Sequence, residues 1–379
     1  QEYQVVYFSA GTNTYRFFTG FNIADLKRKI EEDTENKAPD FKALLKHCRK
    51  NLTRYLGSDT VRADRFATER RVNGADWLFG KEIFTIDQFE GVLSSGKYVK
   101  RAEAGLIAYF IGEYDQDLDA LEKEAELVLS KAPQAVQERI IIALPKRGTR
   151  DLAKVLAMKE ALSSKSSREK QEFGAALTEL NKQFEEQLDS ELQQIFDSCT
   201  YTCRIIDKIP RAEIKRIEPI VSKMLSELYA YIPPVESIDK LRIRSTTGSQ
   251  IISFTSRQLL ANDLKEPFPN RSYKSVIDPI FIRSWKLLKS GTPYTVKVPQ
   301  EPNVRQAWDI ISEMTDIGEK EQRSVEVSKI WKVLNEAPYG YNELTFTILF
   351  SAWLAFHRSE VELSGGFGIP KNKRDSVTV

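Results

Sequence analysis

The sequence predicts a multidomain protein of α/β and mainly α class, with a βαβ unit, a long coiled-coil-like helix and a C-terminal winged-helix-like module. Three observations predict it. Two β-prone apolar runs, Leu106 to Ile111 and Arg139 to Leu144, flank a stretch in which Leu118, Leu121, Ala125 and Val128 keep helical spacing. Strands of that kind are covered on both faces, and a helix between two of them makes a right-handed crossover with parallel strands. From Glu169 to Phe196, Phe173, Leu177, Leu180, Phe184, Leu188, Leu192 and Ile195 recur every three or four residues among charges, a coiled-coil-like stripe. From Val325 onward, two helical stretches separated by Pro338-Tyr339-Gly340 precede two short β-prone runs joined by a basic loop.

A chain of 379 residues with 41% hydrophobic residues is long enough for several cores. Lys and Arg number 56 against 54 Asp and Glu, so the whole-chain charge favours neither nucleic acid nor a membrane surface, and any nucleic-acid contact must come from a local patch. No apolar run of 18 residues and no signal-peptide pattern occurs, which predicts a cytoplasmic protein without a membrane partner. Cys48, Cys199 and Cys203 are too few for a disulfide framework. Gln1 stands just before a strand-like run, which predicts that the chain is a fragment of a longer polypeptide.

The elements follow in order. Residues 1–100 read as an α+β region, mainly helical. A hairpin pairs Tyr3 to Phe8 with Tyr15 to Phe18 around Gly11-Thr12-Asn13, Asn22 caps a helix from Ile23 to Glu32, and Pro39 opens one from Asp40 to Leu56. Arg62, Arg65, Arg70 and Arg71 form a basic cluster that Asp64 and Glu69 dilute, the pattern of a solvated helix face. Residues 101–165 are the βαβα unit and 166–200 the long helical arm. At ~1.5 Å per residue this helix spans about 40 Å, enough for a strut between domains.

Residues 201–300 read as a mixed α+β region. It holds a helix from Arg211 to Tyr231, a hairpin pairing Leu241 to Ser245 with Gln250 to Phe254 around Thr246-Thr247-Gly248-Ser249, helices from Ser256 to Leu264 and Ser272 to Leu288, and a strand from Tyr294 to Val298. Pro299 to Pro302 links it to the winged-helix-like module, residues 301–379. There a helix from Val304 to Met314 precedes an amphipathic helix from Glu326 to Glu336. Asn342 then caps Leu344 to His357, apolar almost all round and so buried.

The carboxyl ends of the two parallel strands are where an open α/β sheet places a ligand. Glu113, Asp115, Lys146 and Arg147 stand there as a candidate site, although strand ends also carry charges simply because they meet water. Cys199 and Cys203 lack a second ligand pair, and their surroundings alternate as a strand does, so no metal is assigned. No G-x-x-x-x-G-K-[ST], H-E-x-x-H or G-x-S-x-G motif occurs, and His47 and His357 stand far apart. The sequence therefore names no catalytic residue and no cofactor.

The segment PYGYNELTFTILFSAWLAFHRSEVEL, with Pro338, Tyr339, Gly340, the helix Leu344 to Phe356 and the strand Val361 to Leu363, resembles a late segment of the large P-loop ATPases of bacterial phage defence, the BREX ATPase family of BrxC or PglY type. Upstream, RIIIALPKRGTRDLAKVLAMKEAL followed by the long charged helix is similar to the same family, so the resemblance spans residues 100 to 379. It implies a region downstream of the ATPase core, with ATP and magnesium belonging to a phosphate loop that this sequence does not contain. DNA, other defence subunits or a second copy would be its partners.

On that view Lys371, Lys373 and Arg374 in the basic loop contact phosphates, and Tyr341 and Asn342 lie nearest a groove. Against groove insertion, Phe346, Leu349, Phe350, Trp353 and Phe356 belong in a core. A protein-interaction scaffold without nucleic-acid contact is the alternative, and a nuclease or nucleotide-dependent enzyme within residues 62 to 160 is the third reading.

Overall fold

The computed structural model describes residues 5–9, 14–18, 23–35, 40–96, 104–114, 116–165, 167–317, 324–364 and 376–378. β1 (Val5–Ser9) and β2 (Thr14–Phe18) form the expected antiparallel hairpin, and α1 (Ile23–Glu35) follows. The single helix expected from Asp40 to Leu56 is two, α2 (Phe41–Lys50) and α3 (Leu52–Leu56). The break falls at Asn51, whose side-chain amide donates to the His47 carbonyl at 3.0 Å beside its own backbone N–H. Then come β3 (Thr60–Arg62), α4 (Asp64–Arg70), β4 (Leu78–Phe84), α5 (Ile86–Ser94), β5 (Gly105–Phe110), α6 (Leu118–Ser130), the short α7 (Gln134–Gln137), β6 (Ile140–Leu144), α8 (Arg150–Ser163), α9 (Ser167–Asp197) and β7 (Thr200–Thr202).

Beyond these lie α10 (Ile217–Leu228), α11 (Thr246–Leu260) and α12 (Arg271–Val276), which runs into a π-helix, Ile277–Ser284. β8 (Leu288–Lys289), β9 (Thr295–Val296), α13 (Pro302–Met314), β10 (Ser324–Glu326), α14 (Val327–Asn335), α15 (Glu343–Phe356), β11 (Glu362–Ser364) and β12 (Ser376–Thr378) complete the chain. Two compact units gather these elements, where five consecutive blocks were expected. Residues 1–59, 81–98 and 106–203 make the first; 60–80, 99–105 and 204–379 make the second. The near-neutral total hides a contrast: the first unit carries 24 Lys and Arg against 29 Asp and Glu, the second 32 against 25.

In the first unit β4, β5, β6 and β7 lie side by side in chain order. β5 and β6 are parallel, Leu106 opposite Ile140, with α6 between them in sequence, which is the expected βαβ unit. Leu106, Ala108, Phe110, Ile140, Ile142 and Leu144 share one buried cluster with Phe89 of α5 and Leu121, Ala125 and Val128 of α6. The stripe of α9 is not that of a free arm. Leu180, Phe184, Leu188, Leu192 and Ile195 are buried, and α9 packs against α8, α1 and α3 of its own unit. A stripe spaced for one partner helix thus serves three shorter ones.

In the second unit β3 pairs antiparallel with the first half of β4, and α4 packs on α10. The amphipathic helix expected from Arg211 to Tyr231 shortens to α10, and the one expected from Ser272 to Leu288 becomes α12 plus the π-helix, with Leu288 already in a strand. The largest departure is at residues 241–254. Instead of a hairpin turn, Thr246-Thr247-Gly248-Ser249 is the first turn of α11, capped by the Ser245 hydroxyl, which accepts from the Gly248 N–H at 3.0 Å. Gly248 is there for close approach: a Cβ would stand 1.8 Å from the Lys240 carbonyl oxygen and 2.8 Å from Leu344 Cδ1 of α15.

α15 is the centre of this unit. Asn342 caps it in a capping box with Thr345, and its side chains from Leu344 to Ala355, apart from Thr347, are buried among α11, α13, α14 and β9. Gly340, at φ +63, closes the turn before it against Tyr229 and Trp77. The order α13, β10, α14, α15, β11, β12 ends in a small sheet in which β12 lies between β10 and β11, antiparallel to both.

Gly248→Ala is expected to destabilise the protein by roughly 3 kcal/mol in urea unfolding, because the Lys240 backbone carbonyl cannot give way without moving the first turn of α11. A loss below about 1 kcal/mol would show that this approach is not tight.

Candidate functional site

The carboxyl edge of the parallel strands in the first unit is built from short, well-anchored turns. After β4, Thr85 caps α5 in a capping box with Gln88, and the Arg49 guanidinium donates to the Ile83 carbonyl at 3.0 and 2.6 Å. After β5 the chain turns at Gly112, whose carbonyl accepts from the buried Thr149 hydroxyl at 2.8 Å, and the Glu113 N–H donates to Gln116 Oε1 at 3.1 Å.

These turns leave two separate hollows. One, of about 630 Å³, is lined by Phe41, Ile111 and Leu121 together with the carboxylates of Asp87, Glu113 and Glu124. The other, of about 310 Å³, lies at the exit of β6 and is lined by Arg147, Asp151, Leu152, Glu191 and Ile195. Glu113 and Arg147 therefore face different hollows, and Arg147 donates to Gln194 of α9. Lys146 is exposed and lines neither, and Asp115 lies outside the described residues. Of the described members of that candidate site, Glu113 and Arg147 line different hollows and Lys146 lines neither.

Tyr114 packs edge-on against Phe41, with ring centroids 5.8 Å apart, and its hydroxyl is buried without a partner among the described residues. Burial pushes its pKa up to about 12, and the negative charges of Asp40, Glu160 and Glu113 add to the rise. A phenol held so firmly protonated is a donor and not a base. The carboxylates line the hollow without converging: among the described residues no three His, Cys, Asp or Glu side chains are grouped to hold a metal ion. Asp87 and Glu124 had no place in the sequence reading. Asp87 follows β4, a strand whose alternation is interrupted by Gly80 and Lys81.

Elsewhere, Arg62, Arg65 and Arg71 are exposed, as expected of a solvated face, and Arg65, Arg70 and Arg71 also bond to residues that follow α4 by some distance in the chain. Arg65 pairs with Glu213 at 2.8 Å, Arg70 donates to the carbonyls of Ser226 and Ala230 at 3.1 Å, and Arg71 pairs with Glu236 at 2.9 Å. Tyr341 is 1% exposed, and the Asn342 carboxamide caps α15 and donates to the Leu241 carbonyl at 2.8 Å, so both are used by the fold. Lys371, Lys373 and Arg374 lie outside the described residues. Cys199 and Cys203 flank β7 and form no disulfide. Comparison of the chain with protein-family models, known proteins and solved structures finds no match.

Tyr114→Phe should leave unfolding stability unchanged or raise it by up to ~1 kcal/mol, since it removes a buried hydroxyl that no partner satisfies. A clear loss would mean that the hydroxyl is bonded in solution. Asn342→Ala, by contrast, should cost about 1–2 kcal/mol in thermal or urea unfolding through loss of the cap.

Proposed function

We propose that this chain is a non-catalytic region of a large phage-defence ATPase of the BREX type, contributing assembly contacts and sequence-independent DNA contact through a C-terminal winged helix. The observation that supports it is the order of the last six elements. They run helix, strand, helix, helix, strand, strand, with the last strand central in a three-stranded sheet, an order compatible with a winged helix. The net positive charge of the second unit agrees with a polyanionic partner.

The same geometry limits how such a module would work. α11 lies along α15, so the helix that would enter a groove in a DNA-reading winged helix is a packing element here. Lys371, Lys373 and Arg374, between β11 and β12 in sequence, are the cations this reading assigns to phosphates. A protein-interaction role for the module, without DNA, draws on the same burial of α15.

The test is duplex binding by the chain as a function of salt. Replacing Lys371, Lys373 and Arg374 by Ala should weaken binding and lower the slope of log K against log salt by up to about 2.7, roughly 0.9 for each phosphate contact removed. An unchanged slope would leave the wing without a role in DNA contact.

A further inference from the structure

Between Asp278 and Glu301 the chain has no acidic residue and four basic ones: Arg283, Lys286, Lys289 and Lys297. We infer that these four, on the end of the π-helix and the β8–β9 hairpin, form a sequence-independent binding surface for the phosphate backbone of nucleic acid. The inference rests on the hairpin and not on the family resemblance, and it places the contact away from the wing.

Arg283, Lys286 and Lys289 are exposed and Lys297 is half-buried, while Phe281, Trp285, Leu287, Leu288 and Tyr294 are buried beside them in sequence. Cations thus alternate with anchors. Trp285 Nε1 donates to the Pro234 carbonyl at 2.7 Å, Lys297 N–H to the Leu287 carbonyl at 2.9 Å and Tyr294 N–H to the Leu264 carbonyl at 2.6 Å, which fixes the platform. Lys289 is opposite Thr295, so Lys289 and Lys297 are diagonal neighbours on one face of the hairpin. None of the four forms an ion pair with another described residue. Acids on the adjoining segments are engaged elsewhere: Glu266 with Lys274 and Tyr294, Asp278 with Lys274, Glu236 with Arg71 and Ser284, and Glu301 as the cap of α13.

Two backbone features sit at the same place. The π-helix leads through Trp285 into Lys286, which holds a left-handed conformation at φ +51. A lysine in that region is strained where glycine would not be, and rare backbone states of both kinds gather at functional sites. A membrane surface fits less well, because interfacial binding adds inserted apolar side chains to its cations, and no large apolar residue from 279 to 300 is exposed.

The experiment is anisotropy of a short fluorescein-labelled duplex of mixed sequence with the full chain, between about 50 and 200 mM salt. Lys286→Gly with Lys289→Ala and Lys297→Ala should weaken binding at least ~10-fold at the low-salt end and reduce the salt slope by about 2–3. Lys286→Arg, Lys289→Arg and Lys297→Arg together should restore both. Lys286→Gly alone is the sharper variant: it should weaken binding while leaving the melting temperature equal or higher, which a merely structural lysine would not do.

No binding by the unaltered chain at low salt, wild-type affinity and slope in the triple variant, or equal loss in the arginine variant would overturn the inference. So would a triple variant that loses only its binding to phosphatidylserine-containing vesicles. If binding falls only when Lys371, Lys373 and Arg374 are replaced, this surface is wrong and the wing stands; if only the hairpin variants lose it, the reverse holds.

Discussion

The second unit depends on one close approach, that of α11 to α15 at Gly248. The first turn of α11 comes so near the Lys240 carbonyl and Leu344 that only a hydrogen fits on that Cα. Everything around it follows from the seat so made. Asn342 reaches from the cap of α15 to the Leu241 carbonyl, Gly340 folds the preceding turn onto Tyr229 and Trp77, and Trp353 donates to Ser312 of α13 at 2.9 Å. An apolar helix buried on nearly every side needs neighbours on every side, and these contacts supply them.

That seat separates arrangement from use. The last six elements end in a three-stranded sheet, and α15, which precedes it, is covered by α11 of the same unit. The exposed cations Arg283, Lys286 and Lys289 lie on secondary features: a hairpin of two-residue strands and the end of a π-helix. The first unit shows a similar dispersal. Its parallel strands end, as strands of this kind do, beside hollows, but Glu113 and Arg147 open onto different ones.

Much of the fold was legible because burial leaves periodicity. The strands Gly105–Phe110 and Ile140–Leu144, the helix between them, α9, α13, α14 and α15 all announce themselves by apolar spacing, and Asn342 by its place before an apolar run. What was not legible turned on side chains used in unexpected ways. Gly248 reads as a turn residue because glycine permits turns, and its second use, allowing a backbone to come close, leaves no local mark. Asn51 interrupts a helix that apolar spacing alone continues. The arginines near residue 65 are solvated as their pattern suggests, but their bonds to Glu213, Ser226 and Glu236 leave no local mark because those partners are distant in the chain. At the candidate site, strand ends could be found from sequence, whereas the division into two hollows depends on which way each turn leaves the sheet.

The unequal charge of the two units has a consequence for how the molecule meets its surroundings. With +2 overall, the chain has almost no monopole to attract or repel a distant polyelectrolyte. Each body nevertheless carries a field of its own, which dominates once separations fall to about 8–10 Å, the screening length near physiological ionic strength. A polyanion brought that close would meet an attractive field at the basic unit and a repulsive one at the acidic unit, and added salt shortens the reach of both.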